Sequence, residues 1–209
     1  MTPPSIYGEH LPLAKGRVGS MTLKKFSLDE LVDILDESGN RTGNSIMKSE
    51  AHRKGLFHPT VHVWFYTADR KILLQQRGRA KKSFPLLWDV SVAGHVGAGE
   101  DIETSALREI KEEIGLDVSK GDLEKIGIFR SVQKHHKDFV DAEFHHTYLC
   151  KLTAPFKNLK KQESEVKALT LVPLPTFAEE TWGLANTGKY VPHGAEYYKT
   201  IIKEIKQRL

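Results

Sequence analysis

The chain has 209 residues, of which 39% are hydrophobic and 28% charged, with a formal net charge of +4. This composition supports one globular core with modest additions and excludes a disordered chain. The mild basic excess fits a small anionic ligand and is too weak to imply nucleic acid. The single cysteine, Cys150, excludes an intrachain disulfide framework and a multi-cysteine zinc site. No apolar run approaches the roughly 18 residues that a membrane span requires, so no membrane association is expected. The first residues lack the apolar stretch of a secretory signal, and a reducing, cytoplasmic setting is the expectation.

In chain order, residues 1–25 are polar and rich in Pro and Gly, and they read as a flexible N-terminal arm. Residues 26–209 read as a single domain. Glu30 to Leu35 and the turn-rich Asp36 to Gly43 predict a strand, a hairpin turn and a second strand. Thr60 to Tyr66 is β-branched and aromatic and predicts a strand, turned at Ala68-Asp69-Arg70 into a partner at Lys71 to Arg77. A basic loop follows, then a strand at Trp88 to Gly94. The strongest helix is Ile102 to Ile114. Further strands are expected at 124–132, 143–152 and 166–173. From Ala195 to Leu209, Tyr197, Tyr198, Ile201, Ile202 and Ile205 recur at helical spacing and predict an amphipathic C-terminal helix. Strands interleaved with helices predict an α/β fold, a mixed sheet with helices packed on it.

The helix at 102–114 carries the chemistry. Asp101 suits its N-cap, and Gly115 suits the left-handed position that ends it. At about 100° per residue, Ile102, Ala106, Leu107, Ile110 and Ile114 gather toward the sheet. Glu109, Glu112 and Glu113 share another side, at spacings that bring side chains together. Clustered carboxylates repel, and a solvated face would mix in lysines. A hard divalent cation explains the cluster directly, because it neutralises the charge. Gly94, Gly97 and Gly99 form a pliable loop before the helix, where backbone groups can approach a ligand closely.

The run Gly94-x5-Glu100-x7-Arg108-Glu109-Ile110-x-Glu112-Glu113-x-Gly115-Leu116 matches the Nudix box at every defined position. On those residues the chain resembles the Nudix hydrolase superfamily. The resemblance implies a Nudix α/β/α sandwich with a mixed β-sheet, and hydrolysis of a diphosphate linkage in a nucleoside diphosphate-type substrate. It implies Glu109, Glu112, Glu113 and the Gly94 carbonyl as ligands of Mg²⁺ or Mn²⁺. It also implies that Arg108 orients the glutamates and that Glu100 pairs near it. Glu112 or Glu109 would accept the proton of the attacking water. The expected partner is a small-molecule diphosphate. A homodimer is compatible with the sequence, which leaves oligomeric state open.

Leu74 to Arg77, Lys81 to Trp88 and Val92 to His95 resemble one branch of this superfamily, the isopentenyl diphosphate isomerase type. That enzyme carries a proton-transferring cysteine in a Cys-Gly-His run, where this chain has Ala93-Gly94-His95. Isomerisation is therefore the alternative reading, and a Nudix-fold binding module without turnover is another. His52, His58, His95 and Glu143 fall near the metal ligands of the isomerase branch. The match at His52 and His58 is loose by about one residue, and their ordinary reading is as polar residues bordering a pocket. Arg77, Arg79, Lys81 and Lys82 form a basic loop suited to clamping phosphates. Arg77, Arg79, Lys82 and His95 are the expected substrate contacts. His135-His136 and His145-His146 are adjacent pairs, and adjacent residues on a strand point to opposite faces, so neither pair can chelate as a unit. Trp88 reads as packing. Glu163 or Glu165 is a candidate for an extra glutamate near the metal, and the loop at 186–194 is a candidate border of the pocket, its role open.

Overall fold

A computed structural model of the protein describes residues 29–182 and 188–209. The expected N-terminal arm and the first residues of the 186–194 loop lie outside the described residues.

Two strands, β1 (Leu31–Leu35) and β2 (Arg41–Met47), form a small antiparallel sheet, and helix α1 (Lys48–Lys54) follows directly. The main sheet is built on β3 (His58–Tyr66), which is buried along its whole length. On one side β3 pairs in parallel with β8 (Phe139–Lys151), from His58↔Glu143 to Tyr66↔Lys151. On the other side it pairs antiparallel with the short β6 (Val92–His95), where Thr60 faces His95 and His62 faces Ala93. Strand β4 (Lys71–Arg77) touches β3 only at Tyr66↔Ile72, then pairs with β9 (Val166–Pro173) and with β5 (Trp88–Asp89). Strand β7 (Glu124–His136) forms a long antiparallel ribbon with β8.

Helices cover both faces. Helix α2 (Ile102–Ile114) lays Ala106, Ile110 and Ile114 against Val61, Val63, Phe65 and Leu73. On the opposite face, α3 (Leu174–Thr181) and α4 (Ala195–Lys206) pack Phe177, Tyr197, Tyr198, Ile201 and Ile202 against Trp64, Ile72 and Leu74. Alternate residues of β3 serve the two cores, as the period of a strand buried on both faces requires. The result is the expected α/β/α sandwich.

The predicted helix at 102–114 is the observed one. Asp101 caps it by accepting a hydrogen bond from the Thr104 N–H at 3.0 Å, and Gly115 adopts a φ of 71° at its end. Several elements depart from the sequence reading. Helix α1 is a helix of seven residues with only Ala51 buried, too short for an apolar period to register. Strand β7 extends to His136 through the polar Gln133-Lys134-His135-His136, and β8 begins at Phe139, four residues earlier than expected. The predicted strand at 88–94 is broken, because the Ser91 hydroxyl leaves the ladder to donate to Leu73 O and to accept from Phe65 N.

Candidate active site

The loop from β6 into α2 brings the glutamates against the sheet. An added Cβ at Gly94 would stand 2.0 Å from Glu109 Cδ, so only glycine leaves room for that carboxyl group. Glu109 Oε1 accepts from Arg108 at 2.7 Å. The same guanidinium binds both oxygens of Glu100 at 3.1 Å and the His95 carbonyl at 3.1 Å. Glu100 in turn accepts from the Gly97 N–H at 3.0 Å. Arg108 therefore welds the loop to the helix and aims Glu109.

Helix spacing places the three glutamates on one side, but their surroundings differ. Glu113 is 3% exposed, and its carboxylate accepts from Gln75 at 2.9 Å and from the Ala93 N–H at 3.1 Å. Glu112 has a half-exposed side chain and lies 3.5 Å from Arg108. Burial raises the Glu109 carboxyl to about 7 against the pull of Arg108, and burial raises Glu113 to about 8. One guanidinium thus serves several buried or half-buried carboxyl groups, whose ionised forms are disfavoured alone and would be stabilised by an oxygen-seeking divalent cation.

A second cluster lies on the other face of β6. Gly94 faces α2, so its neighbour His95 projects toward the opposite side. There His52 from α1, His58 from β3, His95 from β6 and Glu143 from β8 bring their ligand atoms within 4.8 Å of one another. Glu143 Oε1 lies 3.4 Å from His95 Nε2 and 3.6 Å from His58 Nε2. His58 Nδ1 donates to Leu56 O at 2.9 Å, which turns Nε2 inward. Nε2 of His52, His58 and His95 is buried with no hydrogen-bond partner. Burial, then the neighbouring His95 and His58, push His52 down to about 3. Burial and Glu143 act oppositely on His58 and leave it raised, while those imidazoles hold Glu143 well below the usual carboxylate range despite its burial. Three imidazoles and one carboxylate suit a transition-metal ion. His52 and His58, which read in the sequence as pocket-border residues, are brought together here. The signal was weak because His52 sits on α1, a helix the sequence did not reveal.

The basic loop divides. Arg77 binds buried Asp89 at 2.7 Å and the carbonyl and hydroxyl of Ser83 at 3.0 Å, so its guanidinium is engaged within the fold. Lys81 pairs with Glu165, while Arg79 and Lys82 are exposed. Glu165 is thereby tied to the basic loop, and Glu163 pairs with Lys161. Trp88 packs beside the α4-side core. Cys150 belongs to the core on the α2 face, whereas Ala93 packs on the opposite face, so the thiol is remote from the Ala93 methyl. Burial raises that thiol to about 12.

The fold and the ordered Glu-Arg box define a Nudix domain, and the NUDIX domain family matches residues 56–193. An uncharacterized Nudix hydrolase of Clostridium acetobutylicum is 30% identical over 203 residues, covering 85% of this chain and 97% of that protein. The chain belongs to the Nudix hydrolase family. Nudix hydrolase 3 of Arabidopsis thaliana is 38% identical over 149 residues, 69% of this chain but 19% of that longer protein. An isopentenyl-diphosphate Delta-isomerase of Nocardia farcinica is 38% identical over 100 residues, 47% of this chain and 55% of that enzyme. The crystal structure of DR0079 from Deinococcus radiodurans shares the fold at a TM-score of 0.62 and 19% identity, over 81% of this chain and 98% of that one. Among the described residues, no helix is long and apolar enough to cross a membrane.

Proposed function

We propose that this protein is a Mg²⁺- or Mn²⁺-dependent hydrolase that cleaves a diphosphate linkage in a nucleoside diphosphate-type substrate. The observation that carries the reading is the Glu109 carboxylate, seated over Gly94 and aimed by an Arg108 that Glu100 anchors. Glu109, Glu112, Glu113 and the Gly94 carbonyl would hold the ion. When bound, it would neutralise charge on the phosphate oxygens and acidify a water for attack on phosphorus.

The side chains then divide the work. Arg108 is a positioning residue that fixes Glu109 and ties it to the glycine loop. Glu113 pins α2 to β4 and β6 through Gln75 and Ala93. Glu112, half-exposed and held only at 3.5 Å by Arg108, is free to accept the proton of the attacking water. Arg79 and Lys82, exposed beside the box, would meet the substrate's phosphates, while Arg77 braces their loop through Asp89.

The histidine cluster favours a second reading, isomerisation of prenyl diphosphates. Against it, Ala93 offers no acid or base at the position where the isomerase branch carries its cysteine. A panel of nucleoside diphosphate derivatives run beside isopentenyl diphosphate, with and without Mg²⁺, tests the proposal. Metal-dependent release of a mononucleotide or phosphate is expected, and turnover of the prenyl diphosphate alone overturns it.

A further inference from the structure

A third group of titratable side chains lies deeper on the α4 face, beyond both the carboxylate box and the cluster at His95. His62 from β3, His145 from β8 and His193 from the segment before α4 bring one ligand atom each within 4.8 Å of one another. The rings of His62 and His145 stack at 4.0 Å between centroids, and that of His193 stands edge-on to His62 at 5.1 Å. His62 and His145 are each 4% exposed.

We propose that His62, His145 and His193 form a three-histidine site for a transition-metal ion of the Zn²⁺ class. The argument is one of proton bookkeeping. Each ring has its outer nitrogen engaged by a different side chain: His62 Nδ1 with Tyr197 Oη at 2.7 Å, His145 Nδ1 with Thr60 Oγ1 at 2.7 Å, and His193 Nε2 with Asp89 Oδ1 at 2.7 Å. A carboxylate only accepts, so His193 carries its proton on Nε2 and turns the lone pair of Nδ1 inward. Glu143 Oε2, 3.5 Å from His145 Nδ1, favours the proton there and frees Nε2. The Tyr197 oxygen has two lone pairs. It accepts from Trp64 Nε1 at 3.0 Å and has capacity for His62 Nδ1–H, while Thr147 borders the same hydroxyl.

Each imidazole then keeps one lone pair for a ligand, with the His62 and His145 rings stacked within 17° of parallel so that their in-plane lone pairs lie side by side. His145 Nε2 and His193 Nδ1 are buried with no hydrogen-bond partner. Unsatisfied buried acceptors are costly, and a cation satisfies both while taking His62 as a third ligand. The outer partners are those that metal-bound histidines use to fix tautomer and ring orientation. Zn–N bonds of about 2.0–2.1 Å place tetrahedral nitrogens about 3.4 Å apart, so binding requires the stacked His62 and His145 rings to swing apart until both lone pairs converge on the ion. Three protein nitrogens leave a fourth position, which in zinc chemistry takes water or a ligand. The ion would tie the segment leading into α4 to the two central parallel strands.

The test uses the full chain, stripped of metal and held in excess Mg²⁺ to occupy the carboxylate site. Titration with Co²⁺, followed by its visible absorption, is expected to show two equivalents in the wild type. His193→Asn should lose one equivalent and keep the other, and His52→Ala should show the complementary loss. A Co²⁺ stoichiometry that His193→Asn leaves unchanged overturns the proposal. Should that variant fail to fold, ¹¹³Cd NMR of the wild type and of His52→Ala decides the matter. A cadmium resonance that persists in His52→Ala supports the three-histidine site, and its absence overturns it.

Discussion

Gly94 lies directly beneath the carboxyl group of Glu109, so closely that a methyl group at position 94 would stand 2.0 Å from Cδ. The glycine of the box is therefore a space requirement set by the helix opposite, in addition to any role of its carbonyl. Gly94→Ala is expected to push the Glu109 carboxylate out of its seat while leaving the β3–β6 backbone pairing in place. Overpacking of this kind costs about 1–3 kcal/mol. Calorimetric Mg²⁺ titration should show weakened binding, and kcat should fall on the order of 10²-fold or more. Unchanged Mg²⁺ affinity in a folded Gly94→Ala protein would show that the seat does not matter.

Glu112 separates chemistry from stability. Its side chain is 50% exposed, so Glu112→Gln removes charge and basicity without opening the core. The expected result is a kcat loss on the order of 10²-fold or more with an unchanged melting temperature. Near wild-type turnover would remove Glu112 from the mechanism.

Buried carboxyls make the metal-free protein sensitive to pH. Glu109 at about 7 and Glu113 at about 8 both lie above their ordinary value of 4.5. A carboxyl whose pKa is higher in the folded state binds its proton more tightly there, so stability is greatest at low pH and falls as pH rises through that window. In chelator, the contribution of this pair should therefore fall between about pH 5 and 8. Added Mg²⁺ should restore stability most at the upper end, because the ion needs the deprotonated carboxylates. Scanning calorimetry over that range, comparing wild type with Glu113→Gln, isolates the effect. A Mg²⁺-induced rise in melting temperature that is as large at pH 5 as at pH 8 would contradict it.

The box was legible because its chemistry and its helix coincide: the residues that hold Glu109 in place, Gly94, Glu100 and Arg108, lie within one local segment, whereas Glu113 is held by Gln75 and Ala93 of the sheet. The strands were legible where they were apolar, as at His58–Tyr66 and Val166–Pro173, but their order was not: the expected partner of β3 at 71–77 meets it only at Tyr66↔Ile72 and pairs instead with β9. The histidine clusters were not, because each draws single residues from distant elements. His62 and His193 are far apart in sequence and met only through the packing of α4 on β3, a contact no local pattern encodes. His145 and His146 are neighbours on β8 and so point to opposite faces. Nothing in the sequence said that His145 would find two other histidines on its own face. Arg77 illustrates the reverse case, a cation at the head of a basic loop whose charge is taken up by Asp89 inside the fold.

The isomerase alternative is decided at one carbon. The chain shares 38% identity with a Nocardia farcinica isomerase over part of its length, and the cluster of His52, His58, His95 and Glu143 could hold a metal beside a diphosphate. Binding is not turnover, however, since proton transfer to carbon requires an acid or base within hydrogen-bond reach. The Ala93 methyl supplies none. Cys150 packs on the α2 face with its thiol raised to about 12, so it cannot substitute. Isopentenyl diphosphate incubated with the enzyme in deuterated water should acquire no label and yield no dimethylallyl diphosphate. A nucleoside diphosphate derivative cleaved in H₂¹⁸O should carry the label on a phosphate product. Ala93→Cys provides the converse: should it gain deuterium exchange into the prenyl chain while the wild type shows none, the missing thiol is what separates the two chemistries. Deuterium uptake by the wild type at a catalytic rate would instead assign the proton transfer to another group, with Glu143 and His95 the candidates, and would overturn the hydrolase assignment.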